Sequence, residues 1–269
     1  MARAVNGLVV LITGASSGIG RETALLLGAE EAKLGLVARR EGRLREVADA
    51  IRGAGGSAEI FAGDVGSPET LDSAVRGCVE RFGRLDVLVN NAGAGLFATV
   101  EQTTIEDLEA MLAVNLRGTF HGIKAALPVM RGQGAGHIIN VASTAGRRGS
   151  PYVGAYCAAK FAVVGLTESL RTELLGTGID VSLVLPGATR TDFFDAACRR
   201  TERHRGLVGP VEDVRTVAAR IVGVIRRPRA EVIAQPVRRR AVLGVNLVAA
   251  SFVDRLLARM IAGGTAGHD

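Results

Sequence analysis

Leu8-Val9-Val10-Leu11-Ile12-Thr13-Gly14-Ala15-Ser16-Ser17-Gly18-Ile19-Gly20-Arg21-Glu22-Thr23-Ala24-Leu25-Leu26-Leu27 reads as a strand, a glycine turn and a helix in direct succession. The apolar run Leu8 to Ile12 shows no polar alternation, as in a strand buried on both faces. Gly14, Gly18 and Gly20 punctuate the turn, and residues without a Cβ let the backbone come close to a ligand. The helix that follows offers unpaired N–H groups and the positive end of its dipole at the same place. Gly14, Ser16, Ser17, Gly18, Ile19 and Gly20 are therefore expected to line an anion site of the kind that takes a pyrophosphate. A tight structural turn is the alternative, but the flanking strand and helix supply the context that the motif requires.

Working outward, strand-like segments recur near Leu8 to Ile12, Lys33 to Ala38, Ala58 to Ala62, Asp86 to Val89, His137 to Ala142, Ile179 to Leu185 and Glu231 to Ala234. Helical periodicity fills the gaps between them. This alternation predicts an α/β chain with right-handed βαβ crossovers, a single-domain Rossmann fold spanning 1–269. Its doubly wound parallel sheet is expected to have about seven strands with helices on both faces, and ligands at the carboxyl ends of the strands. Helix starts are read at Ser67-Pro68-Glu69 and at Gly209-Pro210-Val211-Glu212-Asp213, where proline and early carboxylates suit a first turn. With 48% hydrophobic but only 4% aromatic residues and no Trp, the core is expected to be aliphatic. Cys78, Cys157 and Cys198 are too few and too scattered for a disulfide framework or a zinc site, so no metal is expected and a reducing cytoplasm fits. The stretch before the first strand is too short for a signal-peptide core.

Tyr156 stands four residues before Lys160 in a chain with two tyrosines and, among 33 Lys and Arg, only three lysines. Lysine kept where arginine is the habitual cation suggests a requirement for a compact ammonium. On a helix the i, i+4 spacing places both side chains on one face, so that the ammonium can favour the ionised phenol. Together with Thr13 to Gly20, Asn90-Asn91-Ala92-Gly93 after Leu85 to Val89, Asn115, Ser143 and Pro186-Gly187, this pair makes the chain resemble the short-chain dehydrogenase/reductase family over residues 6 to 235. One departure is Glu31-Ala32, where that family usually stops a helix with Gly-Ala, and an irregular helix end is expected there.

The resemblance implies hydride transfer between a nicotinamide and a secondary alcohol or ketone, small molecules both. Such a transfer leaves an alkoxide to be stabilised and protonated, so the site needs donors aimed at one oxygen. By the same resemblance Tyr156 is the general acid of reduction and the base of oxidation, and Ser143 hydrogen-bonds the substrate oxygen. Lys160 lowers the Tyr pKa and holds the nicotinamide ribose, and Asn115, inside the helical segment Leu108 to Met130, positions a water that links Lys160 to solvent. Asp64 is implied to accept from the adenine amine with Val65 beside it, while Asn91, Ala92 and Gly93 line the adenosine ribose. Pro186, Gly187, Thr189 and Thr191 belong to the segment that holds the carboxamide. Asn90 reads as a tie between strands, Tyr152 as a pocket wall, and Phe97, Phe193 and Phe194 as signs of an apolar substrate. Helices near Glu106 to Arg131 and Tyr152 to Gly176 resemble the family's dimer faces, implying a homodimer or homotetramer.

An acid about twenty residues past the glycines would accept the ribose 2′-hydroxyl of NAD, whereas arginine there accommodates the 2′-phosphate of NADP. The chain has Ala38 followed by Arg39 and Arg40, so NADP(H) is expected to be preferred over NAD; a solvated turn is the other reading of the two arginines. The net charge of +6 is regional, because between Arg199 and Arg240 twelve arginines face only Glu202, Glu212, Asp213 and Glu231. Without interleaved aromatics this does not read as a nucleic-acid surface. Residues 237–269 form an atypical C-terminal extension, in which Arg238-Arg239-Arg240 precedes the uncharged run Ala241 to Val253. That run is too short to span a bilayer, and leaves open a lid, a subunit contact or a helix in peripheral contact with a membrane. A non-catalytic NADP(H) sensor and a membrane-associated interaction protein are the competing functions. The complete set of Asn115, Ser143, Tyr156 and Lys160 favours an enzyme.

Overall fold

Strands β1 (Val9–Thr13), β2 (Lys33–Ala38), β3 (Ser57–Ala62), β4 (Val87–Asn90), β6 (Gly136–Val141), β7 (Ile179–Pro186) and β9 (Glu231–Ala234) form one sheet in the order β3-β2-β1-β4-β6-β7-β9. Every pairing in it is parallel. The computed structural model describes residues 2–191, 193, 197–201 and 211–234. Helices α1 (Gly18–Gly28), α2 (Glu41–Gly53), α3 (Pro68–Phe82), α4 (Ile105–Leu112), α5 (Gly118–Gln133), α6 (Gly154–Glu173) and α7 (Val214–Arg226) cover both faces. The two-residue period of β1 explains how: Val10 and Ile12 pack with Leu27, Ile51 and Ile225 on one side. Val9 and Leu11 pack with Leu71, Met130 and Leu170 on the other. Burying each such side chain contributes about 1.5–3 kcal/mol, so a strand apolar at every position is anchored twice.

The strand order reverses between β1 and β4, and that reversal opens a crevice at their carboxyl ends. Thr13 closes its floor: its Oγ1 accepts from the N–H groups of Asn91 and Ala92, each at 3.0 Å, and its carbonyl accepts from Asn91 Nδ2 at 3.0 Å. Asn90 behaves as the tie that its position suggests, with Nδ2 donating to Asn140 Oδ1 at 2.9 Å; Asn140 Nδ2 in turn donates to Thr167 Oγ1 at 2.9 Å. One buried polar chain thus fixes β4, β6 and α6 to one another.

Three local expectations change and one holds. The segment Leu108 to Met130 is not one α-helix, because a π-helical turn at Ala113–Arg117 separates α4 from α5. Helix α7 begins at Val214 instead of near Pro210, with the Asp213 side chain as N-cap accepting from Arg215 N at 2.8 Å. Glu212 cannot join the helix, since its backbone is already paired with Ala188 and Arg190; Gly209 and Pro210 lie outside the described residues. Between β7 and α7 the described residues hold no helix but a short strand β8 (Cys198–Arg199) paired with β5 (Leu96–Phe97). The irregular end of α1 is confirmed, with Glu31 in the left-handed region at φ 62. Residues 237–269 lie outside the described residues, and among those described no helix is long and apolar enough to cross a membrane.

Candidate active site

Where β6 ends, Ser143 opens a 3-10 turn over Thr144–Gly146, and its Oγ accepts from Ala145 N at 3.1 Å, which fixes the direction of the hydroxyl oxygen. Tyr156 and Lys160 lie one turn apart on α6, both held against this turn. Tyr156 lies beside Ser143, whose hydroxyl draws the phenol pKa down. Lys160 Nζ sits 5.8 Å from the Tyr156 ring centroid and donates to the Val141 carbonyl at 3.1 Å. The Phe193 ring packs against Tyr156 with centroids 5.7 Å apart. Asn115 lies in the π-helical turn, fully buried, with Nδ2 donating to the carbonyls of Met111 and Ala94, both at 3.0 Å. A π-turn redirects one residue that a continuous α-helix would place elsewhere. Gly93 brings the last two together: a Cβ there would stand 2.9 Å from Asn115 Oδ1 and 3.6 Å from Lys160 Nζ. Asn115, Ser143, Tyr156 and Lys160 therefore converge at the carboxyl end of β4 and β6.

Burial sets the electrostatics of this cluster. It pushes the Tyr156 phenol up to about 12, with the neighbouring Ser143 hydroxyl pulling the other way, and it pushes the Lys160 ammonium down to about 8. A phenol lowered by Lys160, as the spacing suggested, is not what these protein groups produce. The ammonium lies over the ring and spends its hydrogen bond on Val141, so desolvation of the phenol prevails.

The glycine turn is built differently. Gly14 and Gly18 adopt φ 68 and φ 56, and a Cβ on Gly14 would meet Ala92 Cα at 2.9 Å. Ser17 precedes α1 without capping it by its side chain, and the first turn of α1 has no acidic residue. By contrast α4 starts with a full capping box between Thr104 and Asp107. The unclosed end of α1 is also cationic: Arg40 Nη2 donates to Ser17 Oγ at 2.8 Å and to Ser16 Oγ at 3.2 Å. An uncapped, positively flanked helix start with a Cβ-free approach fits the pyrophosphate of a dinucleotide. Arg39 instead reaches Asp64 at 3.9 Å, and Asp64 Oδ1 accepts from Gly66 N at 2.8 Å. Thr191 faces the turn, its methyl 3.2 Å from where a Gly18 Cβ would be. Thr189 is buried and donates to the Gly187 carbonyl at 3.1 Å, just past Pro186 at the end of β7. Ile19 packs partly into the core and Val65 is buried, which turns both side chains to packing. Phe97 is buried in β5 with the Arg199 guanidinium 4.7 Å over its ring, and Phe194 lies outside the described residues. Two contributors escaped the sequence reading: the Val141 carbonyl, which has no side-chain signature, and Thr13 Oγ1, which the apolar run beside it concealed.

The model of the short chain dehydrogenase family matches residues 8–202. The chain belongs to the short-chain dehydrogenase/reductase family. An uncharacterised oxidoreductase from Staphylococcus saprophyticus is 42% identical over 193 residues, covering 71% of this chain and 78% of that protein. Among solved structures, a short-chain dehydrogenase/reductase from Burkholderia phymatum in complex with NAD superposes with TM-score 0.84 at 30% identity, over 93% of this chain and 96% of that one. An alcohol dehydrogenase from Thermococcus sibiricus complexed with 5-hydroxy-NADP gives TM-score 0.75 at 28% identity, over 84% and 95% of the two chains. This short-chain dehydrogenase/reductase is an NAD(P)-dependent oxidoreductase acting on a small molecule.

Proposed function

We propose that this enzyme interconverts a secondary alcohol and its ketone, using NADP(H) in preference to NAD, with Tyr156 as the group that carries the proton. The observation that carries the reading is the cluster in which Ser143 and Lys160 both stand beside Tyr156, with Nζ 5.8 Å from its ring centroid. The nicotinamide, when bound, supplies or accepts the hydride. A phenol pushed up to about 12 is fully protonated at neutral pH, which is the form that ketone reduction consumes. Ser143 holds the substrate oxygen next to that proton, its oxygen already oriented by Ala145 N. Lys160, tethered to Val141, keeps a positive charge beside the ring, and Asn115 stands across Gly93 from it to carry a water. The wall formed by Phe193 favours an apolar substrate.

Gly14, Ser16, Ser17, Gly18, Ile19 and Gly20 would hold the pyrophosphate, with Asn91, Ala92 and Gly93 at a ribose, Asp64 and Val65 at the adenine, and Pro186, Gly187, Thr189 and Thr191 at the carboxamide. The Burkholderia and Thermococcus relatives are complexed with NAD and with an NADP analogue, so the preference rests on this chain's own residues. Ala38 presents no carboxylate, and Arg40 already donates to Ser16 and Ser17 at the mouth of the turn. Exposed Phe120 on α5 and Phe161 on α6 support a homodimer or homotetramer through those helices, which light scattering would size. A panel of ketones, aldehydes, steroids and quinones, followed by NADPH oxidation, tests the activity. Tight NADPH binding with no turnover of any member would replace the enzyme reading by that of a sensor.

A further inference from the structure

We propose that Arg147 is a positioning residue that pins the turn presenting Ser143 to the helix carrying Tyr156 and Lys160 and to the edge strand β9; this rests on the roles given above to Ser143 and Tyr156. The turn itself is lightly built. Gly146 N donates to the Ser143 carbonyl at 2.9 Å and Arg147 N to the Thr144 carbonyl at 3.0 Å. Its far side lies flat on α6, where a Cβ on Gly146 would stand 2.6 Å from the Lys160 carbonyl oxygen and 3.1 Å from a Val164 methyl. Contact alone stops the turn from moving inwards and does not stop it from lifting away.

Arg147 supplies that restraint. Its Nη2 donates to Glu168 Oε1 at 2.6 Å and also to Glu231 Oε2. Lys160, Val164 and Glu168 follow one another at i+4 intervals, so the turn runs along a single stripe of α6 and is fastened at its end. Glu231 opens β9 and pairs with Leu183 of β7, and β7 lies between β6 and β9, so the guanidinium reaches across a whole strand from the one that Ser143 leaves. Some arginines here pair within one helix, as Arg45 does with Glu41, and others join two elements, as Arg226 of α7 does with Glu30 just past α1. Arg147 joins three elements, and its side chain is only 30% exposed. Both carboxylates accept from the one Nη2, which the rigid, weakly hydrated guanidinium holds in a fixed plane better than a strongly hydrated ammonium on a flexible stem would.

The test is a kinetic cycle on the full-length enzyme with its best ketone. Arg147→Met should lower kcat about tenfold or more, as displacement of a catalytic group by a fraction of an ångström does, and leave NADPH affinity unchanged. Arg147→Lys should restore part of the loss. In a Ser143→Ala background Arg147→Met should have no further effect on kcat, because the group that it positions is already gone. Equal loss in both backgrounds, or wild-type kcat in folded Arg147→Met, would overturn the proposal. If Arg147→Met does not fold, Glu231→Gln removes one carboxylate of the clamp and completes the same cycle on the same criteria. Full activity of Ser143→Ala alone would instead overturn the role of Ser143, and is read from that single variant.

Discussion

The turn after β1 and the turn after β6 lie at the same edge of one sheet, separated only by β4, yet they are made by opposite means. In the first, shape comes from missing side chains: left-handed Gly14 and Gly18 and an uncapped α1, with Arg40 arriving from outside. In the second, shape comes from side chains, a buried Lys160 with half-buried Ser143 and Tyr156, and desolvation moves the ionisation of Tyr156 and Lys160. A ligand's phosphates need backbone and charge at a surface that water also reaches, whereas proton transfer needs groups shielded from water. Damage to the first should therefore appear in cofactor affinity, and damage to the second in turnover.

The sharpest way to break this division is Tyr156→Phe. It removes the transferable proton and keeps the ring that packs on Phe193, so kcat should fall by about a hundredfold or more while NADPH affinity stays within error. Steady-state rates and calorimetric titration measure the two separately. A variant that lost affinity and kept kcat would reverse the assignment of the two turns.

Next in size is the pH dependence of reduction. Lys160 has its pKa pushed down to about 8 while Tyr156 is pushed up to about 12, so raising the pH through 8 discharges the ammonium and leaves the phenol protonated. In kcat/KM for NADPH, which reports the free enzyme, an alkaline limb should therefore appear near 8, steepening towards about tenfold per pH unit. Tyr156 adds no limb until far higher pH. Lys160→Arg, whose guanidinium keeps its charge, should lose the limb near 8 even if it is slower at every pH. A limb that survives in that variant belongs to another group.

For the first turn the matching change is Arg40→Ala, alone and with Arg39→Ala. Charge-assisted hydrogen bonds to a 2′-phosphate contribute about 1.5–3 kcal/mol, so the ratio of NADPH to NADH affinity should drop by about tenfold or more in the double variant. Arg39 is shared with Asp64 and both are largely exposed, so Arg40 should carry the larger part. Equal affinities for the two cofactors in the wild type would return both arginines to the solvated-turn reading.

The same contrast explains what could be read from sequence. Strands buried on both faces announce themselves as apolar runs, and β2 and β9 fall on the expected residues. The glycine turn is legible because only residues without a Cβ suit its backbone, and Tyr156 with Lys160 because a chain rich in arginine kept lysine there. The π-turn at Ala113–Arg117 was hidden, since one extra residue per turn hardly disturbs the apolar periodicity of α4 and α5. Two-residue strands such as β5 and β8 are too short for any pattern to emerge. The start of α7 was misjudged because Glu212 looks like a helix-opening acid, while the pairing of its backbone with Ala188 and Arg190 is a tertiary fact. Arg147 was invisible for the same reason, as one of many arginines until Glu168 and Glu231 are seen to meet it.

The smallest effect belongs to the β1–α1–β2 unit, at the one position there where a residue with a side chain takes up a glycine's geometry. Glu31, at φ 62, closes α1 so that Ala32 N donates to the Leu27 carbonyl at 3.1 Å and Lys33 can enter β2 beside Val9. A left-handed conformation costs a residue other than glycine about 1–2 kcal/mol, from crowding of its Cβ against the backbone. Glu31 offsets part of that by accepting from Asn6 Nδ2, but the bond is exposed and contributes little against water. Glycine also adds freedom to the unfolded chain, which returns some of the gain. Glu31→Gly should therefore stabilise the enzyme by about 0.5–1 kcal/mol, read as a higher denaturation midpoint at unchanged slope, with NADPH affinity and kcat both unaltered. If the variant is destabilised instead, while Asn6→Ala costs as much on its own, the Asn6 bond outweighs the strain, and the first crossover is held by a side chain after all.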